Sequence, residues 1–365
     1  MTSTRGGSSF HSGLLLGVET SCDETSVAIL DHEGAVHSNL IASQIERHRP
    51  FGGVVPEIAS REHLRHLMPL VTKAVSDAGA TLDDISAIAV TSGPGLIGAL
   101  LVGVAAAQAL AWGRRLPLYP VNHLEGHIVS PYLNRAGAAT PMPGRYLALV
   151  VSGGHSSIYD VRPRSEVPVA VINRTRDDAA GEVFDKVAKF VGFPYPGGPH
   201  VERASQDAAG SRFSFPVAKL KDGSFDFSFS GLKASAIRLA RVEGLEGAGA
   251  ESVSPDLAGF CKGFQAAIVE QLIDRLDAVW RAVSNESARP TELAIAGGVA
   301  ANGALRDAVL EWGSAHGVVV RLPEKIFCTD NAAMIAFAAM VLGERAADPA
   351  RVTARSRFQP GTRFP

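Results

Sequence analysis

Two histidines four residues apart, His123 and His127 in VNHLEGHI, stand on one face of a helix. At that spacing two imidazoles can share a divalent cation. An unrelated capping and packing pair would look the same, so the motif alone leaves both readings open. The intervening acid separates it from the HExxH of zinc peptidases, whose general base follows the first histidine directly. Glu125 comes two residues after His123, about 200° round the helix, and points away from the metal face. It is therefore unsuited to be a base at that metal, which disfavours a metallopeptidase.

Glycine turns form a second group: Ser92-Gly93-Pro94-Gly95, Ser152-Gly153-Gly154, Pro196-Gly197-Gly198 and Gly297-Gly298. Glycine lets backbone N–H groups approach a phosphate, above all where a helix begins. One such turn is only a turn; several beside apolar strands or helix starts favour a nucleotide-sized anion. A third group is acidic. In DDAAGEVFDK, Asp178, Glu182 and Asp185 fall within about 60° of one another on a helix, opposite Val183, Phe184, Val187 and Val191. A solvated stripe is the plain reading; carboxylates facing a cleft, able to bind hydroxyls or an amine, is the functional one. The fourth group, Glu19-Thr20-Ser21-Cys22-Asp23-Glu24-Thr25, is a polar hairpin turn that could also orient a ligand or a metal-bound water.

These groups need elements to hold them. Leu14–Glu19 and Ser26–Asp31 read as strands flanking the polar turn, and Tyr146–Val151 and Ser156–Val161 repeat that pattern around Ser152–His155. Ser60–Asp77 has helical periodicity, Ile85–Thr91 and Leu118–Asn122 read as strands, and a helix follows from about His123. Asn134–Arg145, with Pro and Gly and no apolar period, reads as a domain boundary. Glu292–Ala296 runs through a glycine turn into a helix, and Thr329-Asp330-Asn331 suits the cap of a closing helix. Two similar openings followed by α/β units predict a duplicated α/β fold with a cleft between lobes. The expected division is a loose extension over 1–12, lobe I over 13–135 completed by a helix over 330–345, lobe II over 145–329, and a basic tail over 346–365.

Composition narrows the class. The 365 residues carry 35 Lys+Arg against 37 Asp+Glu, a formal charge of −2, which excludes a polybasic nucleic-acid binder. Two local clusters remain: five Arg with one Asp over 345–365, and Arg47, Arg49, Arg61 and Arg65 with His48, His63 and His66, diluted by acids. Three scattered cysteines, Cys22, Cys261 and Cys328, offer neither a disulfide framework nor a cysteine zinc site, as expected of a cytoplasmic protein. The apolar run Leu96–Trp112 is at the lower limit for a membrane span, is rich in Ala and Gly, and reads as a buried helix.

Taken in order, GVETSCDETSVAI, FGGVVPEIASREH, TSGPGLIGALLVG, NHLEGH, LVVSGGHS, DDAAGEVFDKVAK, YPGGP, FSFSGLK, AGGVAANGALR and CTDNAAMIA resemble the TsaD (Gcp) family in its bacterial form. Its members are tRNA N6-adenosine threonylcarbamoyltransferases. The resemblance covers about residues 14–345. It implies the actin/sugar-kinase/Hsp70-type (ASKHA) duplicated fold. It also implies transfer of a threonylcarbamoyl group from threonylcarbamoyl-AMP to N6 of the adenine beside the anticodon, in tRNAs reading codons that begin with A. The implied metal ligands are His123, His127 and Asp330, with iron(II) as the usual ion and zinc also suited to two imidazoles and a carboxylate. The implied donor contacts are Val150, Val151, Ser152, Gly153, Gly154, Asp185, Gly198 and Asn302. Val150 stands where some archaeal-type relatives have a metal-ligating Tyr, so phosphate or water should fill that position here.

For the reaction itself, Asp23 or Glu24 is the expected group to orient or deprotonate the incoming amine. The resemblance implies as partners tRNA, a TsaB-like paralogous subunit and a small TsaE-like ATPase, with no membrane. A small-molecule kinase or ATPase of the same superfamily is the rival reading; NHLEGH and DDAAGEVFDK speak against it.

Overall fold

The computed structural model describes residues 13–364 apart from Lys219, Lys221, Glu251 and Ser287, so the expected extension 1–12 lies outside the described residues. β1 (Leu14–Glu19) and β2 (Glu24–Leu30) form the expected antiparallel hairpin, and β3 (Val36–Ser43) extends it. After α1 (Ile45–His48) and α2 (Pro56–Asp77), β4 (Ile85–Gly93) pairs parallel to β1. α3 (Ile97–Arg114) returns the chain to β5 (Leu118–Asn122), parallel to β4, and α4 (His123–Val129) follows at once. The first sheet runs β3-β2-β1-β4-β5.

The second sheet repeats that plan. β6 (Tyr146–Val151), β7 (Ser156–Val161) and β8 (Val169–Arg174) form the antiparallel part, and β9 (Glu292–Ala296) and β10 (Val319–Arg321) continue parallel to β6. Its order is β10-β9-β6-β7-β8. Between β8 and β9 come α5 (Ala180–Phe190), α6 (Gly198–Gln206), α7 (Ser230–Val242) and α8 (Pro255–Val283). α9 (Gly303–His316) joins β9 to β10, and α10 (Ala332–Val341) closes the fold.

Side-chain alternation along the strands assigns the layers. On the outer face of the first sheet, Leu16, Val18, Val27, Ile29, Ile88 and Val90 share a core with α2 and α3 residues. On the outer face of the second, Leu147, Leu149, Leu293 and Ile295 pack with α5 to α9. The inner faces carry Ala28, Ala87, Ala89, Ala148, Ala294 and Ala296 beside larger residues such as Tyr119, Tyr146 and Tyr159, and share one core with α4 and α10. At Gly17 the approach is so close that a Cβ would lie 2.4 Å from the carbonyl oxygen of Ala332, the first residue of α10.

Two surface features differ from expectation. α3 was expected to be buried, but it covers the sheet with only one face: Ala99, Leu100, Gly103, Val104, Ala107 and Ala111 are buried, whereas Ile97, Leu101 and Trp112 are exposed. By length and composition alone it is the one described helix able to cross a membrane. The basic tail is packed rather than free. Arg355 N–H donates to the Ser92 carbonyl at 2.7 Å, the Arg355 guanidinium lies over Phe358 and Phe364, and Arg363 pairs with Glu344 at 2.7 Å. Arg345 and Arg357 are exposed and make no ion pair among the described residues.

Candidate metal centre and cleft

Asn122 ends β5, and its side-chain oxygen accepts from Leu124 N–H at 2.9 Å, which caps α4 and starts the helix at His123. On that helix the two imidazoles meet edge to face with ring centroids 4.7 Å apart. Asp330 arrives from the far end of the chain, just before α10. Asn331, not Asp330, is the cap of that helix, accepting from Met334 N–H at 3.0 Å, so the Asp330 carboxylate is left to face the histidines. Its Oδ1 lies 3.1 Å from His127 Nε2 and 3.5 Å from His123 Nε2. The three potential ligand atoms lie within 4.8 Å of one another.

This donor set suits a divalent ion. The other nitrogen of His123 is anchored: Nδ1 lies 3.1 Å from Glu19 Oε2 and 3.1 Å from Ser21 Oγ, the outer partner that fixes a metal-bound imidazole. His127 Nδ1 is buried without a hydrogen-bond partner among the described residues, so Nε2 is its engaged nitrogen. Burial opposes ionisation of Asp330, but the His123 charge and the His127 hydrogen bond outweigh it and hold the carboxyl well below the usual carboxylate range. Burial opposes the charge on His123 too, yet Asp330 and Glu19 push it up to about 9. A cation at this point replaces that proton. His155 is pushed down to about 4, by burial first and then by His123 and His127, and stays neutral beside them.

His155 did not stand among the expected site residues, and Glu19 stood only within the polar hairpin group, with no role of its own. Glu19 is wholly buried and also accepts from Ser21 N–H and from the Thr91 hydroxyl. Its place at the end of β1, inside the polar hairpin motif, was the only sequence signal for it. His155 sat in the quoted LVVSGGHS and could have been found there.

The expected donor-binding residues surround a turn that His155 joins to this centre. Val150 and Val151 are wholly buried in β6, where Val150 pairs with both β7 and β9 and Val151 with β7, so neither is exposed to a ligand in this structure. Ser152 N–H donates to the His155 carbonyl at 2.8 Å, and His155 N–H to Ser152 Oγ at 3.2 Å, which leaves Gly153 and Gly154 exposed with open space above them. Gly198 begins α6, also in open space. Asp185 accepts from Gly197 N–H at 2.7 Å and is pushed up to about 6, chiefly by burial, against the pull of the Gly197 and Gly198 hydrogen bonds. Asn302 caps α9 through Leu305 N–H at 3.1 Å and donates to Gln265 at 2.7 Å, which leaves one amide hydrogen for a ligand.

The acidic stripe divides. Asp178 lies ahead of α5 rather than on it, bound by Lys233 and, at 2.8 Å, by Lys186; Lys186 also pairs with Glu182 at 2.6 Å. Asp185 alone of the three turns to the Gly197–Gly198 turn. In the first hairpin, Tyr195 hydroxyl lies 3.5 Å from Asp23 Oδ2. Burial and the Asp330 charge raise the Asp23 carboxyl. Glu24 accepts from Ser43 Oγ at 2.8 Å and is pushed up to about 8, mainly by burial. Glu125 faces away from the centre, as its angle predicts: its Oε1 accepts from Gly361 N–H at 2.6 Å.

A sequence model of the tRNA N6-adenosine threonylcarbamoyltransferase family, TsaD, matches residues 35–337. A protein of that name from Anaeromyxobacter sp. (strain Fw109-5) is 46% identical over 346 residues, 92% of this chain and 98% of the relative. Another from Syntrophobacter fumaroxidans is 43% identical over 348 residues, 94% of this chain and 99% of the relative. Among solved structures, full-length HypF in its phosphate- and nucleotide-bound form superposes with a TM-score of 0.57 at 12% identity, covering 92% of this chain and 47% of HypF. That likeness speaks for the ASKHA fold alone.

Proposed function

The chain belongs to the tRNA N6-adenosine threonylcarbamoyltransferase family, and from that premise we propose that it takes the threonylcarbamoyl group from threonylcarbamoyl-AMP and places it on N6 of the adenine beside the anticodon. The observation that carries this reading is the convergence of His123, His127 and Asp330, with His155 linking them to the open Gly153–Gly154 turn.

In the reaction a C–N bond forms between the adenine amine and the carbamoyl carbon. The C–O bond to phosphate breaks, AMP leaves, and one amine proton must be taken up. His123, His127 and Asp330 would hold one divalent ion, iron(II) or zinc, which supplies Lewis-acid stabilisation of the phosphate or carbonyl oxygens. The N–H groups of Gly153 and Gly154 cradle the same anionic centre, with Val150 and Val151 behind them in β6. Asp185 accepts hydrogen bonds from ribose hydroxyls, while Gly198 and Asn302 seat the adenosine. Asp23 or Glu24 orients or deprotonates the amine. Glu24, pushed up to about 8, is mostly protonated near neutral pH and acts as a base only as pH rises toward that value.

The exposed apolar side chains of α2 and α3, Leu64, Met68, Ile97 and Leu101, offer a face for a TsaB-like paralogous subunit. With a TsaE-like ATPase and tRNA as further partners, the chain would work in the cytoplasm. A peptidase reading is opposed by Glu125, which is bound to the tail rather than turned to the ligands.

The test is to incubate the purified chain, with its partner subunits, with threonylcarbamoyl-adenylate and tRNA, and to digest the product to nucleosides. Modified adenosine is the expected product. A His123→Ala/His127→Ala double variant that still binds metal and transfers at full rate would overturn the metal role.

A further inference from the structure

The three ligands of the candidate centre come from two helices remote in sequence, α4 and the start of α10. One short segment, residues 358–363, holds both from the side away from the ligands. The Phe358 carbonyl accepts from Asn122 Nδ2 at 2.9 Å, the same side chain whose oxygen caps α4. Gly361 N–H donates to Glu125 Oε1 at 2.6 Å. Arg363 reaches Glu344 Oε1 at 2.7 Å and Glu125 Oε2 at 4.0 Å, and donates to the Leu342 carbonyl just past the end of α10. Glu125 is wholly buried, and burial raises its carboxyl against the Gly361 N–H, the neighbouring Glu344 and the Arg363 charge. The segment is itself wedged against both sheets. A Cβ on Gly361 would lie 2.1 Å from the Val169 carbonyl oxygen of β8, and one on Gly93 of β4 would lie 3.2 Å from the Phe358 Cβ.

We propose that Glu125 and residues 358–363 form a clamp that fixes α4 against α10, so that His123, His127 and Asp330 keep metal-binding separation. Glu125 is thus a positioning residue: it lies between the two histidines in sequence and opposite them on the helix, bonded to Gly361 N–H as they face the ion. Bond lengths of about 2.0–2.2 Å to three donors leave little room for one helix to slide past the other. The inference rests on the metal reading above.

The experiment uses the full chain and zinc as the probe, with affinity measured by competition against a chromophoric chelator. Arg363→Ala, Glu125→Ala and a chain ending at Ser356 are compared with Leu276→Ala, a cavity variant in the core of the second sheet. Zinc affinity should fall about 10- to 100-fold in the clamp variants, as for loss of an outer partner of a metal ligand. Leu276→Ala should lower the melting temperature and leave zinc affinity unchanged. Glu125→Gln, which still accepts from Gly361, should fall between wild type and Glu125→Ala. The clamp is overturned if its variants lose no more zinc affinity than Leu276→Ala at a matched loss of melting temperature. If the shortened chain does not fold, Arg363→Ala alone decides. His123→Ala/His127→Ala separates the two readings: zinc affinity unchanged there removes the metal site itself, whereas affinity lost there but kept in Arg363→Ala removes only the clamp.

Discussion

His123 Nδ1 lies 3.1 Å from Oε2 of Glu19, a carboxylate with no solvent exposure at the end of β1. That contact holds the ring so that Nε2 faces Asp330 at 3.5 Å. Replacing Glu19 by Ala should weaken zinc binding about 10- to 100-fold, measured by competition with a chelator, because the outer partner orients the ligand. The Ser21 N–H and the Thr91 hydroxyl lose their acceptor as well. Stability should therefore fall by about 1–3 kcal/mol for each donor left without a partner, read from urea denaturation.

Glu24 makes the pH dependence testable. Its carboxyl is pushed up to about 8 from 4.5, by burial first, against the Ser43 hydrogen bond. If Glu24 is the base, single-turnover transfer should rise with pH through about 8, and Glu24→Gln should remove that rise. If Asp23 is the base, Glu24→Gln leaves the profile in place and Asp23→Asn abolishes it. Stability gives the opposite sign. A carboxyl with a raised folded-state value holds its proton more tightly when folded, so its contribution is fully present below pH 4.5 and is lost as pH rises through about 8. Melting curves of Glu24→Gln should accordingly lose less stability than wild type across that window.

The sequence revealed what depends on local pattern and concealed what depends on distant partners. The hairpins β1–β2 and β6–β7 were readable because strand alternation and turn residues are neighbours in the chain. The outward turn of Glu125 followed from helix geometry alone. Asp178 was misplaced because one of its partners, Lys233, belongs to α7, and nothing near Asp178 announces it. The specific role of Glu19 within the polar hairpin stayed hidden for a similar reason: Thr91 and His123, which define it, lie 72 and 104 residues away. The tail looked like free charge because Arg363 finds Glu344 and Glu125 only once α4 and α10 are packed.

Gly17 tests the packing that brings Asp330 to the histidines. A methyl group there would lie 2.4 Å from the Ala332 carbonyl oxygen and 3.1 Å from the Ala336 Cβ, so α10 must shift away from β1. Gly17→Ala should cost about 1–3 kcal/mol in urea denaturation, the usual penalty of overpacking. Because Ala332 is two residues from Asp330, zinc affinity should drop with it. Gly153→Ala, in open space, should leave stability unchanged and serves as the control.

The charges on the surface predict how tRNA binds. Glu62 gathers Arg65 at 2.5 Å, His66 at 3.3 Å and Arg47 at 4.0 Å, and Glu46 pairs with Arg49 at 2.7 Å, so these two carboxylates offset two of the four arginine charges. His63 is buried, bonded to Thr25 at 2.8 Å and to the Cys22 carbonyl at 3.0 Å, so it offers no charge to a phosphate. In the tail only Arg345 and Arg357 are exposed without an ion pair among the described residues. The isolated chain should therefore bind tRNA weakly, with a shallow fall of affinity with salt, since each phosphate neutralised adds only about one unit to the log–log slope. Arg345→Ala and Arg357→Ala should each reduce that slope by about 1, measured by fluorescence anisotropy over a salt series. Arg65→Ala should not reduce it, because that charge is already spent on Glu62. A slope that drops for Arg65→Ala and holds for the two tail variants would place the RNA on α2 instead of on the tail.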